Sequence, residues 1–152
     1  MAINAKLISK LREETGAPVV RVKKLLDELN GNEAKAREIL MKEGFEKTAK
    51  RADRVTSEGR VVSYTHHTGK VACLVELLSE TDFVAKNELF SELAKNIALQ
   101  VVSMNPKDTE ELLSQEFIKE PSKTISDLIK EVIAKTGENI QLGRFTRLEI
   151  GK

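Results

Sequence analysis

Few residues in this chain are of types that could do chemistry. His66 and His67 are its only histidines and Cys73 its only cysteine. Asp82 and Phe83 stand together where a run of strand formers, V-A-C-L-V-E-L-L (71–78), gives way to a helical pattern. Adjacent residues on a strand point to opposite faces, so the two imidazoles make a poor chelating pair. No Cys/His spacing suits zinc. Cys73 lies inside an apolar strand with no basic partner in sequence, which suits a small core residue better than a thiolate nucleophile. Neither G-x-x-x-x-G-K-[ST] nor G-x-G-x-x-G occurs, so no loop is built to cradle phosphate. No catalytic constellation results. The expectation is a binding protein with no cofactor and no metal, not an enzyme.

That leaves S-E-T-D-F-V-A-K-N-E-L-F, 79–90. The chain has only five Phe, one Tyr and no Trp, so an aromatic at a strand-to-helix corner needs a reason. Thr81 or Asp82 suits the N-cap of the following helix. If that helix begins so early, Phe83 lies seven residues before Phe90, on the same face, and is simply core. If not, Phe83 is displayed. Pattern alone leaves both readings open.

The elements that must position this corner are legible from periodicity. Ile3, Leu7, Ile8 and Leu11 share one helical face, and T-G-A-P (15–18) stops that helix. Val19, Val22, Leu25, Leu26 and Leu29 mark a second helix, ended by Asn30-Gly31. Asn32 caps a third, carrying Ala36, Ile39 and Leu40, which Gly44 is expected to close. Three short helices give a small core of marginal independent stability. The charged stretch 47–58 reads as a linker. From 59 to 152 the pattern is α+β. Strands over 60–67 and 70–78 flank T-G as a hairpin. Apolar residues on both faces of the second strand argue that it is central. A long helix carries Phe90, Leu93, Ala94, Ile97, Ala98 and Val101 on its buried stripe and ends at Asn105-Pro106. Residues 107–123 read as a loop with one helical turn. Ile125, Leu128, Ile129, Val132 and Ile133 mark another helix, closed by Thr136-Gly137. The last strand, 139–150, alternates with a stumble at Gly143 that suits a bulge.

Composition agrees with a globular protein: 152 residues, 40% hydrophobic, 32% charged, net charge +1. Charge so balanced favours neither nucleic acid nor a membrane surface. No apolar run approaches the roughly 18 residues that would span a bilayer. The N-terminal residues lack signal-peptide character. A single cysteine rules out a disulfide framework, and a reducing, cytoplasmic compartment is expected.

Three segments carry a resemblance. T-D-F-V-A-K-N (81–87) is similar to the signature of bacterial elongation factor Ts, the nucleotide exchange factor for elongation factor Tu. L-R-E-E-T-G-A (11–17), followed by K-K-L-L (23–26), resembles that family's N-terminal motif. G-E-N-I (137–140), followed by an arginine-bearing strand, resembles its C-terminal motif. The resemblance implies a ubiquitin-associated-type (UBA-like) three-helix domain at 1–46, a linker at 47–58 and an α+β core at 59–152. It implies that Asp82 and Phe83 face elongation factor Tu and disturb the Mg²⁺ site of its GTPase domain. GDP is then released and incoming GTP displaces the factor. Thr81 and Val84 complete the motif, Thr81 suiting a cap and Val84 either contact or packing. Arg12, Val19, Val20, Lys23 and Gly137 match further contact positions. Where the family commonly reads G-A-G-M-M-D, this chain reads G-A-P-V-V-R (16–21). Thr136 replaces a usual apolar residue, and the segment between Asn105 and Pro121 looks cut down. Short members pair as homodimers, which the resemblance leaves open here. The competing readings are a UBA-type module for an unrelated protein and a nucleic-acid binder using Lys47, Lys50, Arg51 and Arg54 or Arg144 and Arg147. Too few aromatics are present for a base-stacking surface.

Overall fold

The computed structural model describes residues 3–152. Its element order is α1 (Ala5–Thr15), α2 (Val19–Glu28), α3 (Glu33–Arg51), β1 (Glu58–Thr65), β2 (Val71–Ser79), α4 (Asp82–Ala85), α5 (Glu88–Met104), α6 (Thr109–Ser114), β3 (Glu116–Phe117), β4 (Glu120–Thr124), α7 (Ile125–Thr136) and β5 (Ile140–Glu149). The fold class is α+β, as the sequence predicts.

The first three helices enclose a small core of Leu11, Val22, Leu25, Leu26, Ala36 and Leu40. Asn4 and Asn32 cap α1 and α3, each side chain accepting a backbone N–H of the first turn. Gly44 does not end α3, contrary to expectation. The helix runs on to Arg51, and Gly44 lies on its side toward α7, where a Cβ would meet the Ala134 methyl group at an ordinary 3.4 Å. The α3–α7 contact continues with Lys130 over the Phe45 ring at 5.7 Å and with Arg51 donating to the Ile133 carbonyl at α7's end (3.3 Å). So the small core leans on a helix of the larger one.

Arg21 of α2 forks onto the Glu43 carboxylate of α3, with Nε to Oε2 at 3.0 Å. That guanidinium hydrogen bond holds the Glu43 carboxyl below the usual carboxylate range. A depressed carboxylate contributes stability that is present above its unfolded pKa and lost as pH falls through the folded value. Glu43→Gln should therefore lower stability by about 0.5–1 kcal/mol at pH 7. In urea titrations across acid pH, the gap between the two proteins should close as Glu43 protonates. A gap that is constant down to the acid limit would show that the pair contributes nothing through charge.

The larger core lies between a three-stranded antiparallel sheet, order β1-β2-β5, and helices α4 to α7. Cys73, Val75 and Leu77 of β2 point into it against Phe90, Leu93, Ala94, Ile97, Ala98 and Val101 of α5. β2 is central, as its apolar pattern predicts. Its second face, however, is not covered by the chain: Leu74 is 49% exposed, as are Val61 (65%) and Leu148 (77%) beside it. The bulge falls on β5. Val75 faces Phe145 and Leu77 faces Leu142, so Gly143 and Arg144 share one place opposite Glu76. Arg144 bonds the Glu76 carboxylate through its amide (3.2 Å) and its guanidinium (3.1 Å).

Residues 107–123 are more ordered than a loop. They form α6 and a two-stranded hairpin, β3-β4. The fully buried Gln100 of α5 organises it, donating to Gln115 Oε1 (3.1 Å) and the Glu116 carbonyl (3.0 Å) and accepting from the Ile118 amide (3.0 Å). A side-chain amide here replaces ladder bonds that the two-residue β3 cannot supply, and such a strand is too short to show periodicity.

Candidate partner-binding surface

Phe83 is displayed. β2 ends at Ser79, whose buried hydroxyl donates to the Thr81 carbonyl (2.9 Å). Thr81 then caps α4, its side chain accepting the Val84 amide. α4 lasts only to Ala85, because Asn87 is extended (φ −68°, ψ 142°) and caps a new helix by accepting the Leu89 amide. The chain thus turns between Phe83 and Phe90, and the shared helical face that would bury both does not exist. Phe90 is fully buried and Phe83 is 83% exposed. Val84 and Ala85 are the buried side of α4, so Val84 anchors the corner from beneath. Asp82 stands exposed in the first turn and pairs with Lys86 (2.6 Å).

The other segments singled out in the sequence converge near the C-terminal end of α7. Gly137 closes that helix at φ 78°, its N–H reaching the Ile133 carbonyl, with open space where a side chain would be. The next residue, Glu138, accepts the Thr81 amide (3.0 Å) and hydroxyl (2.7 Å). Asn139, 3% exposed, donates its amide to Glu80 (2.7 Å) and its side chain to the Ala52 (3.3 Å) and Arg54 (2.9 Å) carbonyls. The T-D-F-V corner, the G-E-N turn and the exit from α3 are therefore bolted together.

The N-terminal motif arrives from the other side. Gly16, at φ 69°, lies so close to α7 that a Cβ would be 2.8 Å from the Lys135 Cα. Arg12, Gly16, Lys135 and Leu89, from the first turn of α5, line one groove. Val19 and Val20 are 46% and 78% exposed. They are not core residues, and Lys23 follows them on the same side of α2 at helical spacing. Arg21, which departs from the family pattern, is spent internally on Glu43.

Among the described residues no group of three His, Cys, Asp or Glu could hold a metal. Burial pushes the Cys73 thiol pKa up, and its S–H donates to the Ala98 carbonyl. The strand rule that would put the two histidines on opposite faces does not apply, because β1 ends at Thr65; their rings lie together in the hairpin turn, centroids 4.1 Å apart and tilted by 39°. The arginines of the two basic clusters have partners within the chain: Arg51 and Arg54 on carbonyls at the end of α7, Arg144 on Glu76, Arg147 on Glu149 and the Val102 carbonyl. What the surface offers is shape: an exposed aromatic tip, two exposed valines and an open glycine corner.

Comparison with known proteins decides the lineage. A family model described as "Elongation factor TS" matches residues 80–152. Curated proteins named elongation factor Ts align with the whole chain. That of Oleidesulfovibrio alaskensis is 39% identical over 99% of this chain and 98% of its own length. That of Thermotoga sp. strain RQ2 is 40% identical over 100% and 98%, and that of Fervidobacterium nodosum 38% over 100% of both. The chain belongs to the elongation factor Ts family. It is a translation elongation factor by that membership. The Oleidesulfovibrio alignment runs over 195 positions against a chain of 152 residues, so at least 43 positions of that relative have no counterpart here. Two residues at this surface were given no role by the sequence reading, Leu89 in the groove and Glu138 on Thr81. Leu89 is indistinguishable from a core leucine by periodicity, and Glu138 acts through a partner 57 residues away.

Proposed function

We propose that the chain is a guanine nucleotide exchange factor for elongation factor Tu. The observation that supports it is Phe83, an aromatic held in water on a short, capped helix with Val84 and Ala85 locked beneath it. On this reading the Asp82–Phe83 corner enters the GTPase domain of the partner. It pushes apart the side chains around Mg²⁺, an ion held by few protein ligands and strict octahedral geometry. Arg12, Val19, Val20, Lys23 and Gly137 contact the same partner, the first four through the N-terminal helices, which take the UBA-like role. Coupling is reciprocal, so a factor that weakens nucleotide binding is itself displaced by nucleotide. GDP leaves, GTP enters and the factor departs; this chain makes and breaks no bond. The bared face of β1-β2-β5, with Val61, Leu74 and Leu148, suits pairing with a second copy. A cytoplasmic site of action and no direct role for nucleic acid complete the reading.

The test is release of a fluorescent GDP analogue from elongation factor Tu. The chain should raise the release rate by about tenfold or more at saturation, a change worth about 1.4 kcal/mol per decade. A release rate unchanged by excess chain would sink the exchange reading.

A further inference from the structure

We propose that Glu138 is a positioning residue for the exchange corner. Its carboxylate uses both oxygens on one residue, Oε1 taking the Thr81 amide (3.0 Å) and Oε2 the Thr81 hydroxyl (2.7 Å). The inference rests on the exchange reading above and deepens it.

Thr81 is the root of the corner. Its hydroxyl has a single proton, and that proton goes to Glu138. A lone pair then faces the Val84 amide, at 3.3 Å, which is the cap that starts α4. Glu138 thereby fixes the rotamer on which the cap depends. A second bond runs the opposite way across the same gap, from the Asn139 amide to Glu80 (2.7 Å). Both lie just beyond the last pair of the β2-β5 ladder, Ser79 opposite Ile140. The two charged acceptors extend the ladder past its end and hold the corner against the sheet.

The reason to look for such a brace is the exposure of the tip. Phe83 has almost no packing of its own to hold it, so its direction is set at the root. A loose tip must be ordered when it binds, and that entropy is subtracted from affinity; a braced one has been ordered on folding. Fold stability depends little on the brace. Thr81 is exposed and Glu138 half-buried, whereas Val84 and Ala85 stay in the core without it.

The experiment uses the full chain with Glu138→Ala and Glu138→Gln. Loss of a charge-assisted, two-pronged contact in partly exposed surroundings should raise the half-saturating concentration in the GDP-release assay about fivefold, or about 1 kcal/mol at 1.4 per decade. The maximal rate at saturation should stay within about twofold, since Phe83 itself remains. Glu138→Gln, which keeps one acceptor, should fall between. In the free chain, amide hydrogen exchange at 81–84 should quicken about tenfold in Glu138→Ala while core amides of α5 are unchanged. Unchanged corner exchange, or a half-saturating concentration equal to wild type, would overturn the positioning role. If the wild-type chain fails to speed release, the exchange reading falls and takes this role with it. The hydrogen-exchange arm separates that outcome from absence of the brace.

Discussion

Phe83→Ala should remove most of the acceleration of GDP release while leaving the fold untouched. The side chain is 83% exposed in the free chain, so its loss removes almost no packing, and the melting temperature should move by no more than about 2 °C. On the proposed function its value is realised only when the partner covers it. Burying a phenylalanine contributes roughly 1.5–3 kcal/mol, equivalent to about ten- to a hundredfold in the coupling between factor and nucleotide. Release rates and thermal melts on the same two proteins check both halves. Equal acceleration by wild type and variant would return Phe83 to the status of a stray surface residue and pass the wedge to Asp82 or the valines of α2.

A large effect on stability is expected at Gly16. Gly16→Ala places a Cβ where φ is 69° and where the Lys135 Cα and Ala134 carbonyl oxygen stand 2.8 and 2.9 Å away. The left-handed conformation alone costs a β-carbon roughly 1–2 kcal/mol. The contact is with backbone, which cannot swing aside, so the α1–α2 turn has to lift from α7, adding about 1–3 kcal/mol of strain. A drop of about 2–5 kcal/mol, or very roughly 5–15 °C in melting temperature for a chain of this size, is expected. Gly31→Ala is the control: its φ is 79°, but open space surrounds it, so it bears the conformational term alone. If the two variants melt together, close approach at Gly16 is not what joins the N-terminal helices to α7.

The acid side of the fold is also accessible to test through the Arg21–Glu43 pair, which joins α2 to α3. It turns a departure from the family pattern into an internal brace.

The places where sequence reasoning held are those governed by local rules. Helices with a clear apolar stripe, such as α5 and α7, and the T-G hairpin between β1 and β2 follow from side-chain period and turn chemistry, which act over a few residues. The bulge at Gly143 was visible as a break in alternation. The family was visible too, because three short segments kept their order along the chain.

Where it faltered, a distant contact overrode a local signal. Gly44 has the look of a helix stop, yet α3 runs on past it, against Ala134. Residues 107–123 lack any period, yet Gln100 gathers them into a hairpin. Phe83 and Phe90 have the spacing of one helical face, which pattern alone leaves undecided; there the decision is local, Asn87 breaking the helix between them. Thus composition, period and motif order by themselves determined an α+β protein of this family. Only the tertiary structure decided that Phe83 meets water, that Val19 and Val20 do too, and that segments from both ends and the middle of the chain share one end of α7. The physical reason is reach: hydrogen bonds from Thr81 to Glu138 and from Asn139 to Arg54 join residues 57 and 85 apart. A pattern that repeats every few residues carries no record of such pairings.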